Sequence, residues 1–268
     1  MLFRSGVIII GDEILSGRRQ DKHLSKAIEL LGERGMALSW ARYEGDQPER
    51  ITQALREALD SGEVVFSFGG IGATPDDHTR ACAAQAWGRE LALHPEAEPL
   101  ILSRCEEIAA QEGQPFDPAS ADTLRRLQMG NFPVGSTIIP NPYNRIPGFS
   151  LGGRLHCVPG FPVMAWPMVE WVLDTHYSHL FQKSAYLEKS VVIYGAMEAA
   201  LTPIMERLES AHPGIKVFSL PSVDHPVHGR HIELGVKGSP EDVNRAFPAM
   251  LNELHVFGAK LGPELVRS

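Results

Sequence analysis

"EVVFSFGGIGATPDDHTRACAAQAWG", residues 63–88, runs from an apolar stretch through a glycine loop into a helical pattern. "EVVFSF" (63–68) is apolar throughout rather than alternating, as in a strand covered on both faces. The helix behind the loop implies a crossover back along the sheet, the signature of an α/β layer architecture. The same unit occurs twice upstream. "SGVIII" (5–10), ended by Gly11, leads to "DKHLSKAIELLGERG", where Leu24, Ala27, Ile28 and Leu31 share one helix face and Gly32 and Gly35 stop it. "MALSWARY" (36–43) is a second strand. "DQPERITQALREALDSG" then aligns Ile51, Ala54, Leu55, Ala58 and Leu59, with Pro48 in the first turn. This β-α-β-α-β-α order predicts a three-layer α/β/α domain around a mostly parallel sheet.

Residues 95–130 read as two helices broken near "EGQPFDPAS". "GSTIIPNPYNRIPGFSLGGRLHCVPGFP" holds short strands among many prolines and glycines, as functional loops do. "PVMAWPMVEWVLDTHYSHLF" is a helix, kinked or restarted near Pro167. Beyond residue 183 the pattern becomes strand, helix, strand, strand, helix. The expected division is therefore an α/β domain over 1–180 and a small β-α-β-β-α unit over 185–268.

With 268 residues, 43% apolar and 22% charged, the composition is that of a globular protein with a substantial core. A net charge of -8 argues against a general nucleic-acid-binding surface. Cys82, Cys105 and Cys157 form no C-x-x-C pair and read as buried thiols. No apolar run approaches the roughly 20 residues of a membrane span, and the first one is too short for a signal peptide. A cytoplasmic protein with no membrane partner is expected.

In parallel sheets ligands bind beyond the carboxyl ends of strands. "GDEILSG" (11–17) and "GGIGATPDDHTR" (69–80) sit at such ends, and they line one crevice if the first and third strands are neighbours. Neither is a standard nucleotide fingerprint, and neither carries the lysine of a phosphate loop. Asp12, Glu13, Asp76 and Asp77 would repel a bare phosphate but suit Mg²⁺, which is held by one or two carboxylates plus substrate phosphates. The alternative reading is local. Thr74 as N-cap, Pro75 at the first helical position and Asp77 in a capping box would start a helix without any ligand, and Asp12-Glu13 could be a solvated turn.

The two motifs Gly11-Asp12-Glu13-Ile14-Leu15-Ser16-Gly17 and Gly69-Gly70-Ile71-Gly72-Ala73-Thr74-Pro75-Asp76-Asp77-His78-Thr79 resemble the molybdopterin-binding (MoCF) domain family. Within it they are most similar to the N-terminal part of CinA proteins. Pro140-Asn141-Pro142, Ile146-Pro147-Gly148-Phe149 and Val158-Pro159-Gly160-Phe161-Pro162 extend the likeness, which covers residues 5 to about 175. The tail is similar to a small KH-type domain, and the amidohydrolase domain that ends full-length CinA proteins has no room.

The resemblance implies a pocket for a nucleotide or pterin phosphate, with molybdopterin among the possible ligands, and a divalent metal such as Mg²⁺. It places the metal on Asp77, a catalytic lining at Asp12 and Glu13, and the phosphates near Gly69, Gly70 and Gly72, with Thr74, Asp76 and Thr79 in the same loop. Asn141, Pro147 and Gly148 would shape the opposite wall. The chain departs from the family at His23, which replaces an amide, at Asn144-Arg145-Ile146, which replaces Gly-Thr-Ala, and at Val163-Met164, which removes an acid. Arg145 adds a cation that either clamps a phosphate or is solvated.

His225, His228 and His231 recur at intervals of three, as a weak metal site or a polar hairpin loop would. His94, His156, His176 and His179 show no ligand set beyond one i, i+3 pair. The expected activity is metal-dependent hydrolysis of a pyrophosphate bond of the ADP-ribose or FAD type, in a homo-oligomer. The alternatives are a binding protein that has lost turnover and an interaction module.

Overall fold

The computed structural model describes residues 4–181 and 187–267. The chain divides into two compact units, residues 1–181 and 182–268. The boundary expected between 180 and 185 falls partly on residues 182–186, outside the described residues.

In the first unit β1 (Ser5–Ile10) passes through the single-turn α1 (Asp12–Leu15) to α2 (His23–Gly32) and β2 (Leu38–Glu44). α3 (Pro48–Ser61), β3 (Val64–Phe68) and α4 (Thr79–Trp87) follow. Next come β4 (Leu91–Leu93), α5 (Ala97–Gln111), α6 (Ala121–Leu127) and the short strands β5 (Asn131–Pro133), β6 (Thr137–Ile139), β7 (Gly148–Leu151) and β8 (Leu155–Val158), before α7 (Pro162–His176). The main sheet has the order β2-β1-β3-β8-β7-β6. Its first four strands are parallel, and β7 and β6 complete it antiparallel.

The continuous apolar runs are explained by burial on two sides. Ile8, Ile10 and Val65 face a core with Ile51 and Leu55 of α3, Ala83 of α4 and Ile101 of α5. Val7, Ile9, Phe66 and Phe68 face another with Leu30 and Leu31 of α2 and Met168 and Val172 of α7. Each fully buried aliphatic or phenyl side chain contributes about 1.5–3 kcal/mol, so the two faces stabilise the sheet together.

One expectation is corrected, the restart of a helix at Pro167 is excluded, and one small sheet is new. α4 begins at Thr79 with His78 as its cap residue, and no side chain caps it. Thr74 and Asp77 bond each other in a turn ahead of the helix instead. α7 is one helix from Pro162 to His176 with Pro167 inside it. Pro167 lies close to the start and forfeits only the bond its missing N–H would make to the Val163 carbonyl. The two-stranded β4–β5 sheet is new, its three-residue strands being too short to show a period.

The second unit comprises β9 (Leu187–Tyr194), α8 (Glu198–Ala211), β10 (Ile215–His225), β11 (Gly229–Gly238), α9 (Pro240–Phe257) and β12 (Lys260–Arg267). Its antiparallel sheet has the order β10-β11-β9-β12. Val191, Ile193, Leu234 and Val236 pack on Leu201 and Leu208 of α8 and on Phe247 and Met250 of α9. The sequence pattern stops at β-α-β-β-α, and the structure adds β12 as a sixth element. Gly262 and Pro263 interrupt the strand pattern of "KLGPELVR". Proline is tolerated here because β12 is an edge strand whose register shifts between Leu261 and Glu264.

His156, fully buried on β8, bridges β7 to α7. Its Nδ1 lies 2.8 Å from the Ser150 hydroxyl and its Nε2 2.8 Å from the Tyr177 hydroxyl, which donates to the Gly153 carbonyl. Desolvation, helped by His176, pushes the His156 pKa down to about 3. A histidine depressed on folding stabilises above its unfolded value, near 6.5, and that stability is lost as pH falls toward the folded one. Unfolding of the first unit should therefore become easier by about 2–3 kcal/mol between pH 6.5 and 4.5. Urea denaturation across that range should show this slope, and His156→Gln should flatten it.

Candidate ligand-binding site

β1 and β3 are parallel neighbours in register, with Ile9 opposite Phe68. The loops leaving their carboxyl ends therefore open into one cleft of about 400 Å³. Gly69 and Gly70 have φ of 99° and 70°, which L side chains rarely adopt. A Cβ on Gly69 would also stand 2.5 Å from the Ile10 carbonyl oxygen. Thr79 locks the loop from beneath. It is fully buried, its hydroxyl donates to the Gly69 carbonyl at 3.0 Å, and its N–H donates to the Gly70 carbonyl at 2.9 Å.

Arg80 completes the underside, its guanidinium donating to the carbonyls of both Ile71 and Gly72. In trans peptides this turns the N–H groups of Gly72 and Ala73 the opposite way. Burial lowers the Arg80 pKa, and Asp77 opposes that shift. The loop has no phosphate-loop lysine, and the charge of its last residue, Arg80, lies beneath its backbone.

The carboxylates divide by role. Asp77 accepts from the Thr74 N–H at 2.8 Å and from its hydroxyl at 2.5 Å, so one of its oxygens shapes the loop. Asp12 Oδ1 accepts from the Asp46 N–H at 3.2 Å, and Asp46 Oδ2 from the Asp12 N–H at 2.9 Å, tying the loops after β1 and β2 together. Burial raises the Asp46 pKa. The Asp12 N–H counteracts that, and the charges of Asp12, Glu13 and Asp76 push the value up further.

Across the cleft, Asn141 is buried and donates to Asn144 Oδ1 at 2.8 Å and to the Ile146 carbonyl at 3.0 Å. Asn144 in turn reaches Met164 Sδ at 3.4 Å. Glu13, Gly69, Gly70, Gly72, Thr74, Asp76, Asp77, Asn141 and Pro147 all line the cleft, while Asp12, Thr79 and Gly148 support it from behind. A Cβ on Gly148 would strike the Cys157 carbonyl.

Arg145 is placed differently from the phosphate clamp considered for it. It has φ 64°, its guanidinium pairs with Glu107 at 2.6 Å and Ser103 at 3.1 Å on α5, and it does not line the cleft.

The sequence assigns no role to Asp46, Arg80, Arg19 or Phe161, although Arg80 and Phe161 stand in the stretches quoted for the site. Asp46 follows β2, so the rule that ligands bind beyond carboxyl ends could have found it. Arg80 bonds only to backbone and has no motif.

Among the described residues no three of His, Cys, Asp or Glu are arranged to hold a metal ion. The donor set fits a divalent cation only as one arriving with a ligand's own oxygens, met by one or two carboxylates. His225, His228 and His231 do gather, with ring centroids 5.0–5.6 Å apart. His225 Nδ1 is occupied, however, by the N–H groups of Val227 and His228.

Residues 6–179 match the family model described as "Probable molybdopterin binding domain". The chain belongs to this molybdopterin-binding domain family. A relative from Caldivirga maquilingensis, described simply as a protein, is 30% identical over 247 residues, covering 89% of this chain and 90% of its own length. A CinA-like protein of Mycobacterium tuberculosis is 29% identical over 224 residues. That match covers 81% of this chain and 52% of the relative, so the chain spans about half its length. Among solved structures, the protein CinA of Thermoplasma acidophilum, described as of unknown function, aligns with TM-score 0.54 and 27% identity over 65% of this chain and 96% of its own. All five stretches that carry the likeness in the sequence fall within the matched residues.

Arg80→Met should loosen the glycine loop and cost about 1.5–3 kcal/mol, the usual worth of hydrogen bonds to a charged group. Faster hydrogen exchange at residues 70–73, read with the denaturation midpoint, checks this. Arg145→Ala removes an exposed ion pair with Glu107 and should change stability by about 0–1 kcal/mol. Its affinity for any phosphate ligand, measured by calorimetry at low salt, should match the parent's.

Proposed function

We propose that the first unit binds a phosphate-bearing pterin or nucleotide together with a divalent cation. One observation carries this reading. A glycine loop that carries Asp76 and has its N–H groups turned away from Arg80 shares a single cleft with Glu13 and Asp46 of the neighbouring loops. Backbone N–H groups suit phosphate oxygens, whereas the carboxylates need a cation before an anion can approach them. Asp76 and Asp77, on the loop itself, are best placed to meet a cation carried by the phosphates, with Asp46 and Glu13 opposite. When bound, such a cation would neutralise phosphate charge and polarise the bridging oxygens. Asp77 keeps one oxygen for Thr74 and offers the other. Asn141 holds the far wall rigid, and Met129, Ile146 and Phe161 give the cleft its apolar surface.

Hydrolysis of a pyrophosphate bond is the second reading, favoured by the raised carboxyl of Asp46. A carboxylate whose proton affinity is lifted inside a cleft is a candidate general base. Against it, Met164 stands beside Asn144 where an acid would serve turnover. Binding is therefore the conclusion, with turnover an outcome of the test.

Pyrophosphate, ADP-ribose, FAD and a pterin phosphate should be titrated with and without Mg²⁺ or Mn²⁺, and the mixtures assayed for released products. Cation-dependent affinity is expected, and its absence for every ligand overturns the proposal. Asp77→Asn keeps an acceptor for Thr74, so the fold should survive while cation-dependent affinity falls tenfold or more, at least about 1.4 kcal/mol.

A further inference from the structure

Beside the cleft lies a second hollow of about 300 Å³, large enough for a small bicyclic ring. The two share Ile10, Glu13, Arg19, Gly160 and Phe161 as walls, and so form two compartments of one depression. Phe161 is half exposed, and the Arg19 guanidinium sits 5.6 Å from its ring centroid. Both groups present flat faces suited to a conjugated ring.

His23 lines this hollow, 4% exposed and stacked on Phe68 with ring centroids 4.5 Å apart. Its Nε2 lies 3.1 Å from the Gly160 carbonyl oxygen. A carbonyl only accepts, so Nε2 carries the hydrogen and Nδ1 the lone pair. Desolvation lowers the ring's pKa, although the Gly160 bond and the Asp21 charge act the other way, which keeps the ring neutral near pH 7. Nδ1 is buried without a hydrogen-bond partner, a costly state for an acceptor. Asp21 beside it is committed, accepting from the N–H groups of His23 and Leu24 and from the Tyr43 hydroxyl.

We propose that His23 determines which ligand this protein selects: the hollow takes a planar nitrogen heterocycle, and an N–H of that ring system donates to His23 Nδ1. The inference rests on the phosphate site proposed above, which would hold the other end of the same ligand. Adenine and pterin rings share the required chemistry, an amino group on a flat heteroaromatic bicycle. Because Nδ1 is covered in the free protein, the donor must displace what covers it. A ring without a donor gains nothing from that displacement, so the contact discriminates.

The test is a cycle of ligand against side chain, read by calorimetry. With Mg²⁺ present throughout, ADP, purine riboside 5′-diphosphate (which lacks the amino group), 6-hydroxymethylpterin diphosphate and inorganic pyrophosphate are titrated into the parent and into His23→Phe, which keeps the stack on Phe68. Adenosine and purine riboside are titrated alongside, without phosphates. In the parent, ADP or the pterin should bind at least tenfold more tightly than the ring lacking its donor. In His23→Phe that advantage should vanish while pyrophosphate binds as before, and whichever ring loses its advantage identifies the ligand's source. Equal weakening of every ligand would mean that His23 is structural, and equal affinity of adenosine and purine riboside with no pterin binding overturns the proposal. Failure of pyrophosphate to bind with Mg²⁺ present would instead strike the phosphate reading. If His23→Phe does not fold, the amino-against-desamino comparison on the parent tests the donor requirement, and equal affinities there overturn the proposal.

Discussion

The parallel pairing of β1 with β3 is the constraint on which the site depends. It sets Ile10 beside Gly69 so closely that the glycine's missing side chain is a steric requirement, with a would-be Cβ 2.5 Å from the Ile10 carbonyl oxygen. From that contact the loop must leave in a left-handed conformation, and Thr79 is then in place to tie both glycine carbonyls to the start of α4. β2, on the other side of β1, brings Asp46 to Asp12. Three strand ends thus supply one cleft, with the sheet's two apolar faces providing the rigidity.

The cleft's electrostatics follow from the same packing. Glu13, Asp46 and Asp76 line one cleft, where burial raises the Asp46 pKa and the charges of Glu13 and Asp76 raise it further, and Glu13 pairs with Arg19 at 3.6 Å. Arg80 does not neutralise them directly, because its guanidinium is spent on backbone carbonyls. The result is a basin that resists free anions and favours ligands that bring their own positive charge.

Much of this was legible in the sequence because the determining signals are local. Continuous apolar runs give buried parallel strands, and glycines after them give loops at their carboxyl ends. What escaped depends on contacts distant in the chain. Asp46 becomes a cleft residue only through its neighbour across β1. Arg145 turns to Glu107 on α5, a helix whose position no local pattern fixes. The start of α4 slipped from Pro75 to Thr79 because Asp77 bonds back to Thr74 and closes a turn first. β12 was hidden because Gly262 and Pro263 break its pattern, which an edge strand permits.

The strand order of the second unit has a consequence for how it is made. β9, its first strand, lies in the interior of the sheet between β11 and β12, and the Arg267–Glu188 pair joins residues 79 apart in sequence. A chain emerging from the ribosome therefore presents β9 long before the partner for its second edge exists. The first unit has every strand of its sheet at hand by then, since none of them lies beyond residue 158. The two halves mature on different clocks, and the later one carries an unpaired apolar strand edge while it waits, the kind of surface chaperones engage.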